Sequence, residues 1–354
     1  MIITRTPYRM SFFGGGTDYP AWFREHGGAV LATTIDKYCY ISCRYLPPFF
    51  EHKSRVVYSR IENVGSNDQI EHPAVRAVLR HLGVDAGVEI HHDGDLPART
   101  GLGSSSAFTV GLLHAVQALL SLMPTKMELA RQAIEIEQEH LIESVGCQDQ
   151  VLAAFGGFLR VDFAPDGDIR VSPIGVGPDR LAELQSHLLL VFTGFSRMAS
   201  EIAKEQISRT EMLKTELSTL HRMVDDAQAI LCSGQDITDF GRLLHESWQI
   251  KRSLTPKIAP VAIDGIYAAA RNAGAIGGKL MGAGGGGFMV LFVPPSRQAA
   301  VREKLNKLVF VPFQFEFTGS QIIFFDPEED YSAAEKDRAS QTVNPFRENS
   351  EMQP

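Results

Sequence analysis

This sequence is poor in the features that mark several large protein classes. Only four cysteines occur in 354 residues, Cys39, Cys43, Cys147 and Cys232; none form a CxxC pair, and no histidines are spaced around them as zinc ligands. Reduced structural thiols in a cytoplasmic protein are the expectation. No run reaches the ~20 apolar residues of a membrane span, and the opening MIITRTPYRMSF lacks an apolar signal segment. Positive charge is also scarce, with 34 Lys and Arg against 42 Asp and Glu, a formal net charge of -8. That balance argues against a protein that reads a phosphate backbone. Neither a membrane nor a nucleic acid is expected as a partner, which leaves small molecules; nothing in the sequence indicates an oligomeric state.

What is present is an ordinary globular balance, 44% hydrophobic and 21% charged. Strands are expected at 2–5 and 29–45, a helix at 72–82, and a largely apolar helix beginning in the serine run at 104. Another helix is expected from Thr125, where Thr125 and Glu128 fit a capping box. A short buried strand is expected at 187–193, a long helical stretch over 198–232, and two strands within 308–325. The order mixes helices and strands without a regular βαβ alternation, so the expected class is α+β. A change of unit is expected near 180–185. This divides the chain into 1–183, which carries the nucleotide-binding motif, a second unit over 184–327, and a polar tail over 328–354.

The most informative string is DLPARTGLGSSSAF, residues 95–108. Gly101 and Gly103 let a ligand come close to the backbone, and Ser104, Ser105 and Ser106 then open a helix. Free N–H groups at a helix N-terminus, with the helix dipole behind them, make an anion site. The string is not a Walker A loop, since no Lys-Ser or Lys-Thr follows, nor a Rossmann fingerprint, since Ser106 stands in place of the third glycine. GAGGGG at Gly282–Gly287 satisfies G-x-G-x-x-G only formally, because it runs into the strand FMVLF rather than into a helix. Its glycines, Gly284 and Gly285 among them, are expected where a ligand or another backbone approaches closely.

Two further segments carry candidate chemistry. PYRMSFFGGGTDY, residues 7–19, joins Arg9 to three glycines and the pair Thr17 and Asp18; Asp18 can hold sugar hydroxyls or serve as an Asx-turn. In IEQEHLIESVGCQDQ, residues 136–150, Asp149 lies between Gly146 and the apolar run VLAAF, where enclosure of a carboxylate suits a base or a metal ligand.

Taken together, PYRMSFFGGGTDY, LPARTGLGSSSAF and GGKLMGAGGGGF stand in the order found in the GHMP kinase superfamily, which the chain resembles over about residues 3–290. The resemblance implies a two-domain fold, with an N-terminal domain like the second domain of ribosomal protein S5 and a ferredoxin-like C-terminal domain. It implies ATP and Mg²⁺, with the nucleotide phosphates on Gly101, Leu102, Gly103, Ser104, Ser105 and Ser106. Asp149 would orient or deprotonate the acceptor hydroxyl, supported by Arg9. Glu137, twelve residues earlier, would hold Mg²⁺ with Ser104 or Ser105. Gly15, Gly16, Thr17 and Asp18 would line the sugar pocket. Galactokinases read GEHTDY where this chain reads GGGTDY, so Gly15 and Gly16 are expected to make room for a bulkier or phosphorylated sugar.

Within the superfamily, FGGGTDYP, VGCQDQ, TGFSRMASEI and MGAGGGGF resemble the branch that phosphorylates the anomeric hydroxyl of D-glycero-D-manno-heptose 7-phosphate; L-fucose kinases share several of these strings. A sugar phosphate needs cations, and Arg197, Lys251, Arg252 and Lys279 are the candidates. The fold also serves ATP-dependent decarboxylases, and a sensor without turnover is a further alternative.

Overall fold

The computed structural model of the chain describes residues 1–195, 199–327, 331, 333, 334 and 336. β1 (Ile2–Phe13) leads through a glycine turn and α1 (Pro20–His26) into the long β2 (Gly28–Tyr45). Pro20 opens α1, where its missing N–H costs nothing, and Gly27 closes it at φ 69°. There follow β3 (Ser54–Val57), β4 (Ile61–Val64), α2 (Pro73–His81), β5 (Val88–Gly94), α3 (Ser104–Leu119), α4 (Lys126–Glu135), α5 (Gln148–Phe155), β6 (Phe158–Phe163), β7 (Ile169–Pro173) and α6 (Pro178–Ser186). The second half contains β8 (Leu188–Phe192), α7 (Ala199–Ser208), α8 (Lys214–Cys232), α9 (Thr238–Ser253), α10 (Val261–Asn272), β9 (Gly277–Leu280), β10 (Phe288–Phe292), α11 (Gln298–Lys304), β11 (Val309–Val311), β12 (Phe315–Glu316) and β13 (Gln321–Phe325).

Two sheets organise these elements. The larger has nine strands among the described residues, with a spine in the order β13-β1-β2-β5-β3-β4, and β6, β7 and β12 joined through β2. Burial along β2 records its surroundings. Every residue from Gly28 to Ile35 is buried, as in a strand covered on both faces, and α3 and α8 both pack on it. Beyond Asp36 burial alternates, with Cys39, Ile41, Cys43 and Tyr45 inward, as in a strand covered on one face. α3 is apolar around most of its circumference because it lies between β1 and β2 on one side and α2, α4 and α5 on the other.

The smaller sheet is antiparallel, in the order β11-β8-β10-β9. One strand, a helical excursion, two strands, a helix and a last strand in that order give the ferredoxin-like split βαβ arrangement. The chain is therefore α+β with the two-part architecture expected.

Three expectations need correction. β1 does not stop at residue 5 but continues through the RMSFF string to Phe13, because Arg9–Ser11 and Phe13 pair with Leu31–Thr34 of β2. The region 308–325 holds three strands rather than two, and they divide between the sheets. β11 pairs with β8, whereas β12 pairs with β2 and β13 with β1. A second unit running unbroken over 184–327 is thus interrupted by a return to the first sheet. The expected polar tail, 328–354, lies outside the described residues apart from 331, 333, 334 and 336. No helix among the described residues is long and apolar enough to cross a membrane.

Candidate active site

The centre of the site is an ion pair between β1 and α5. Arg9 donates from Nε to Asp149 Oδ1 at 2.7 Å and from Nη2 to Oδ2 at 2.6 Å, a bidentate fork. Its third nitrogen, Nη1, donates to Gly101 O at 2.5 Å, and its backbone N–H donates to Leu102 O at 3.0 Å. One arginine therefore fixes both the carboxylate and the glycine loop. Arg9 is 5% exposed, while the Asp149 side chain keeps 25% of its surface open. Asp149 also stands in the first turn of α5, where the helix dipole favours a negative charge.

Gly103 lies directly against this pair. At φ 74° it is the N-cap of α3, and a side chain there would meet Arg9 Cγ at 3.1 Å and Asp149 Oδ2 at 3.4 Å. No side chain caps the first turn of α3. The loop before it is held by Thr100 Oγ1, which donates to Pro97 O at 2.7 Å, and by the Arg99 N–H, which donates to Ser104 Oγ at 3.1 Å. The Leu102 and Ser106 side chains are buried, Ser104 is half-buried and Ser105 faces outward.

Glu137 is enclosed behind the same helix start. The helix expected from Thr125 does begin with the Thr125/Glu128 capping box, but α4 ends at Glu135 and a π-turn covers Ile136–His140. π-turns are uncommon and cluster at functional sites. In that turn Glu137 is fully buried, and its Oε2 accepts from Ser106 Oγ at 2.9 Å and Gln150 Nε2 at 2.6 Å. Among the described residues its Oε1 has no hydrogen-bond partner, and burial pushes the carboxyl up to about 7 against the opposing effects of Thr109, Ser106 and Gln150. A buried carboxylate with one oxygen unmatched suits a cation, so the residues fit Mg²⁺. The serine in contact is Ser106, whereas Ser104 or Ser105 was expected; the Ser104 hydroxyl instead serves the Arg99 N–H.

The triple-glycine turn after β1 is tied down by Thr17, whose hydroxyl donates to Gly14 O at 2.8 Å and Ala29 O at 2.9 Å. Asp18 is 2% exposed and holds backbone, with the Gly16 N–H at 2.9 Å and the Gln148 N–H at 3.4 Å. Burial raises its pKa, the Gly16 N–H opposes that shift, and nearby Asp149 adds to it. In this arrangement Asp18 shapes the turn, as an Asx residue does. The room expected from two glycines exists at only one of them. Gly15 meets nothing closer than Gln148 Nε2 and Ser11 Oγ, each at 3.8 Å. Gly16 is a tight spot, at φ 102° with Gln206 Nε2 2.6 Å from where a Cβ would stand. Beside Gly15, Ser11 Oγ and Gln148 Oε1 are both buried and have no hydrogen-bond partner among the described residues. Sequence reasoning missed these two residues; only the fold reveals unmatched polar atoms around a side-chain-free position.

Of the four candidate cations, two meet at the site. Lys279 Nζ donates to Phe12 O at 2.8 Å; Lys251 Nζ donates to Leu280 O at 2.9 Å and Gly282 O at 2.5 Å. Burial, with the Arg9 charge adding to it, pushes the Lys251 pKa down to about 7. Lys279 is pushed well below the usual lysine value by burial, Lys251 and Arg9. Arg252 does not join them; it pairs with Asp264 at 2.5 Å. Arg197 lies outside the described residues.

The second glycine loop is engaged by backbone. The Gly285 N–H donates to Ile258 O at 2.9 Å and the Gly287 N–H to Phe195 O at 2.7 Å, while Gly287 O accepts from both N–H and hydroxyl of Thr193. Gly284, at φ 123°, lies against Ile258. Of the two partners expected at Gly284 and Gly285, a ligand or another backbone, the one in place is the backbone at Ile258. The loop instead presses on the first one: Met281 O is 2.6 Å from where a Cβ on Gly101 would stand, and the Phe288 N–H donates to Thr100 O at 3.0 Å.

The chain is similar to known proteins over most of its length. Residues 69–157 match the GHMP kinases N terminal domain and residues 223–309 the GHMP kinases C terminal family. The chain is 30% identical to the D-glycero-alpha-D-manno-heptose 7-phosphate kinase of Campylobacter jejuni over 90% of its own length and 96% of that protein's. A crystal structure of a D-glycero-D-manno-heptose 1-phosphate kinase from Bacteroides thetaiotaomicron superposes with a TM-score of 0.76 at 26% identity, covering 92% of this chain and all of that one. A bifunctional fucokinase/GDP-fucose pyrophosphorylase of Arabidopsis thaliana is 24% identical over 85% of this chain and 31% of its own length. The chain belongs to the GHMP kinase family. It is a phosphotransferase, and ATP is that family's phosphoryl donor.

Proposed function

We propose that this protein transfers the γ-phosphate of MgATP to the anomeric hydroxyl of D-glycero-D-manno-heptose 7-phosphate, giving the 1,7-bisphosphate used in making nucleotide-activated heptose. The observation that carries the reading is the Asp149–Arg9 pair at the uncapped start of α3, with the buried lysines Lys251 and Lys279 beside it. Phosphoryl transfer needs positioning and charge neutralisation more than covalent chemistry. Each Asp149 oxygen takes one Arg9 hydrogen bond and retains a lone pair for the acceptor O–H. Arg9 keeps that carboxylate in a single orientation, and the open N–H groups of α3 with residues 101–106 receive the phosphate oxygens. Glu137 with Ser106 would hold Mg²⁺, which when bound supplies neutralisation of the phosphate charge.

The heptose 7-phosphate acceptor is supported by the Campylobacter jejuni relative, a heptose 7-phosphate kinase, and by the cluster of basic side chains at the site. Arg9, Lys251 and Lys279 lie close enough to act on one another; burial and mutual repulsion hold the pKa of both lysines below the usual value, so an acceptor that carries an anion would be favoured by restoring their charge. Ser11 and Gln148, beside the space at Gly15, offer unmatched polar atoms to sugar hydroxyls. The test is ADP release with MgATP against heptose 7-phosphate, heptose 1-phosphate, mannose 6-phosphate, L-fucose and galactose. The expected result is the highest kcat/KM with heptose 7-phosphate. Equal or better turnover of fucose or of the 1-phosphate would overturn the acceptor while leaving the kinase intact; phosphate transfer to none of them would favour the sensor.

A further inference from the structure

The π-turn that carries Glu137 inward places a second set of ligand-type side chains on its other side. Glu135 and His140 are five residues apart, about 140° around an ordinary α-helix of 3.6 residues per turn. The π-turn, marked by the Leu141 N–H bonding to Ile136 O at 2.9 Å, brings them to the same side. His81, the last residue of α2, completes the group. Glu135 Oε1 lies 4.0 Å from His81 Nδ1 and 3.7 Å from His140 Nε2, and all three ligand atoms lie within 4.8 Å of one another. The two imidazole rings are 5.4 Å apart and nearly perpendicular. Bonds of ~2.0–2.2 Å to a tetrahedral ion put ligand atoms roughly 3.3 Å apart, so a contraction of well under an ångström per side chain closes the set. These side chains retain 19%, 46% and 34% of their surface and have room to make that adjustment.

We propose that His81, Glu135 and His140 form a binding site for a borderline divalent cation of the Zn²⁺ type, with water in the remaining position, which clips α2 to the π-turn behind Glu137. Two imidazoles and one carboxylate suit Zn²⁺ and disfavour Mg²⁺, which prefers an all-oxygen octahedral shell. The site is separate from the Glu137 site: Glu137 is fully enclosed, whereas these groups reach solvent.

The experiment uses the full chain with Cys232, the exposed thiol, changed to Ser so that it cannot compete. The protein is stripped with chelator and titrated with ZnSO₄ in excess Mg²⁺, followed by a chromophoric competitor and by the unfolding midpoint. One saturable Zn²⁺ per chain is expected, with a rise in Tm. His81→Ala and His140→Ala should each weaken binding by at least about tenfold and abolish the Tm rise, since each removes a ligand from a three-ligand set. His81→Gln and His140→Gln serve in place of any alanine variant whose metal-free circular dichroism departs from the parent. Absence of saturable Zn²⁺ binding, or binding that survives loss of both histidines, overturns the proposal, the three side chains then being neighbours without a shared ion.

Discussion

The molecule contains two glycine loops that look alike in sequence and do opposite things. In the loop at 101–103, positive φ angles bring the chain into a helix whose first turn no side chain caps. In the loop at 282–287, glycines occur because other backbone is pressed against them, and the N–H groups of Gly285 and Gly287 are already bonded. Glycine in the first loop gives access; in the second it permits close packing of Thr193, Phe195, Ile258 and the first loop itself. Glycine content alone is therefore a poor guide to a ligand site. What separates the loops is the element that follows: a helix, with unpaired donors at its start, or a strand, whose donors belong to a ladder.

The largest effect should fall on the group that the first loop positions. Asp149→Asn should cut kcat by about two decades or more while nucleotide affinity, measured by calorimetry, stays within a few-fold. Turnover within about tenfold of the parent would deny Asp149 a part in proton transfer. Gly103→Ala comes next. It forces a side chain into φ 74° against Arg9 and Asp149, and should cost about tenfold or more in kcat with a smaller change in Tm. Gly284→Ala is its counterpart in the second loop. At φ 123° against Ile258 it should lower stability by ~1–3 kcal/mol in urea unfolding, yet leave KM per folded enzyme unchanged. A raised sugar KM with normal stability would instead make Gly284 a substrate contact and erase the contrast between the loops.

A smaller effect sharpens the account of the cation site behind the first loop. The Glu137 carboxyl is raised from its usual 4.5 to about 7 in the folded chain. Between those values the folded state holds a proton that the unfolded state has released, so this group's contribution to stability falls as pH rises through that window. Without Mg²⁺, Glu137→Gln should flatten that part of the Tm-against-pH profile. Saturating Mg²⁺ should raise the Tm of the parent at pH 8 and leave that of the variant nearly unchanged. An identical Mg²⁺ response in both proteins would place the cation elsewhere.

Legibility from sequence followed the range of the interactions. The loop at 101–106 was legible because a turn, a helix start and an apolar helix behind it are local signals; Arg9 as the partner of Asp149, 140 positions away, was an expectation from the family resemblance. The Thr125/Glu128 capping box was equally local and appears as expected. The exchange of Ser104 or Ser105 for Ser106 as the partner of Glu137 was not legible, because rotation about α3 and the π-turn together decide which hydroxyl faces the acid. Ser11 and Gln148 escaped for a related reason: an unmatched polar atom exists only with respect to neighbours brought in from elsewhere in the chain.

The sequence by itself determined the α+β architecture and an anion-binding helix start through short-range patterns, and the class of chemistry through three motifs whose order along the chain resembles the GHMP kinases. Tertiary structure alone decided that β12 and β13 return to the first sheet, that Lys251 and Lys279 gather near Arg9 while Arg252 turns to Asp264, and that the second glycine loop is a clamp. Each of those outcomes depends on burial and on contacts between residues tens or hundreds of positions apart, and no local pattern encodes the cost of desolvating a charge or the partner that offsets it.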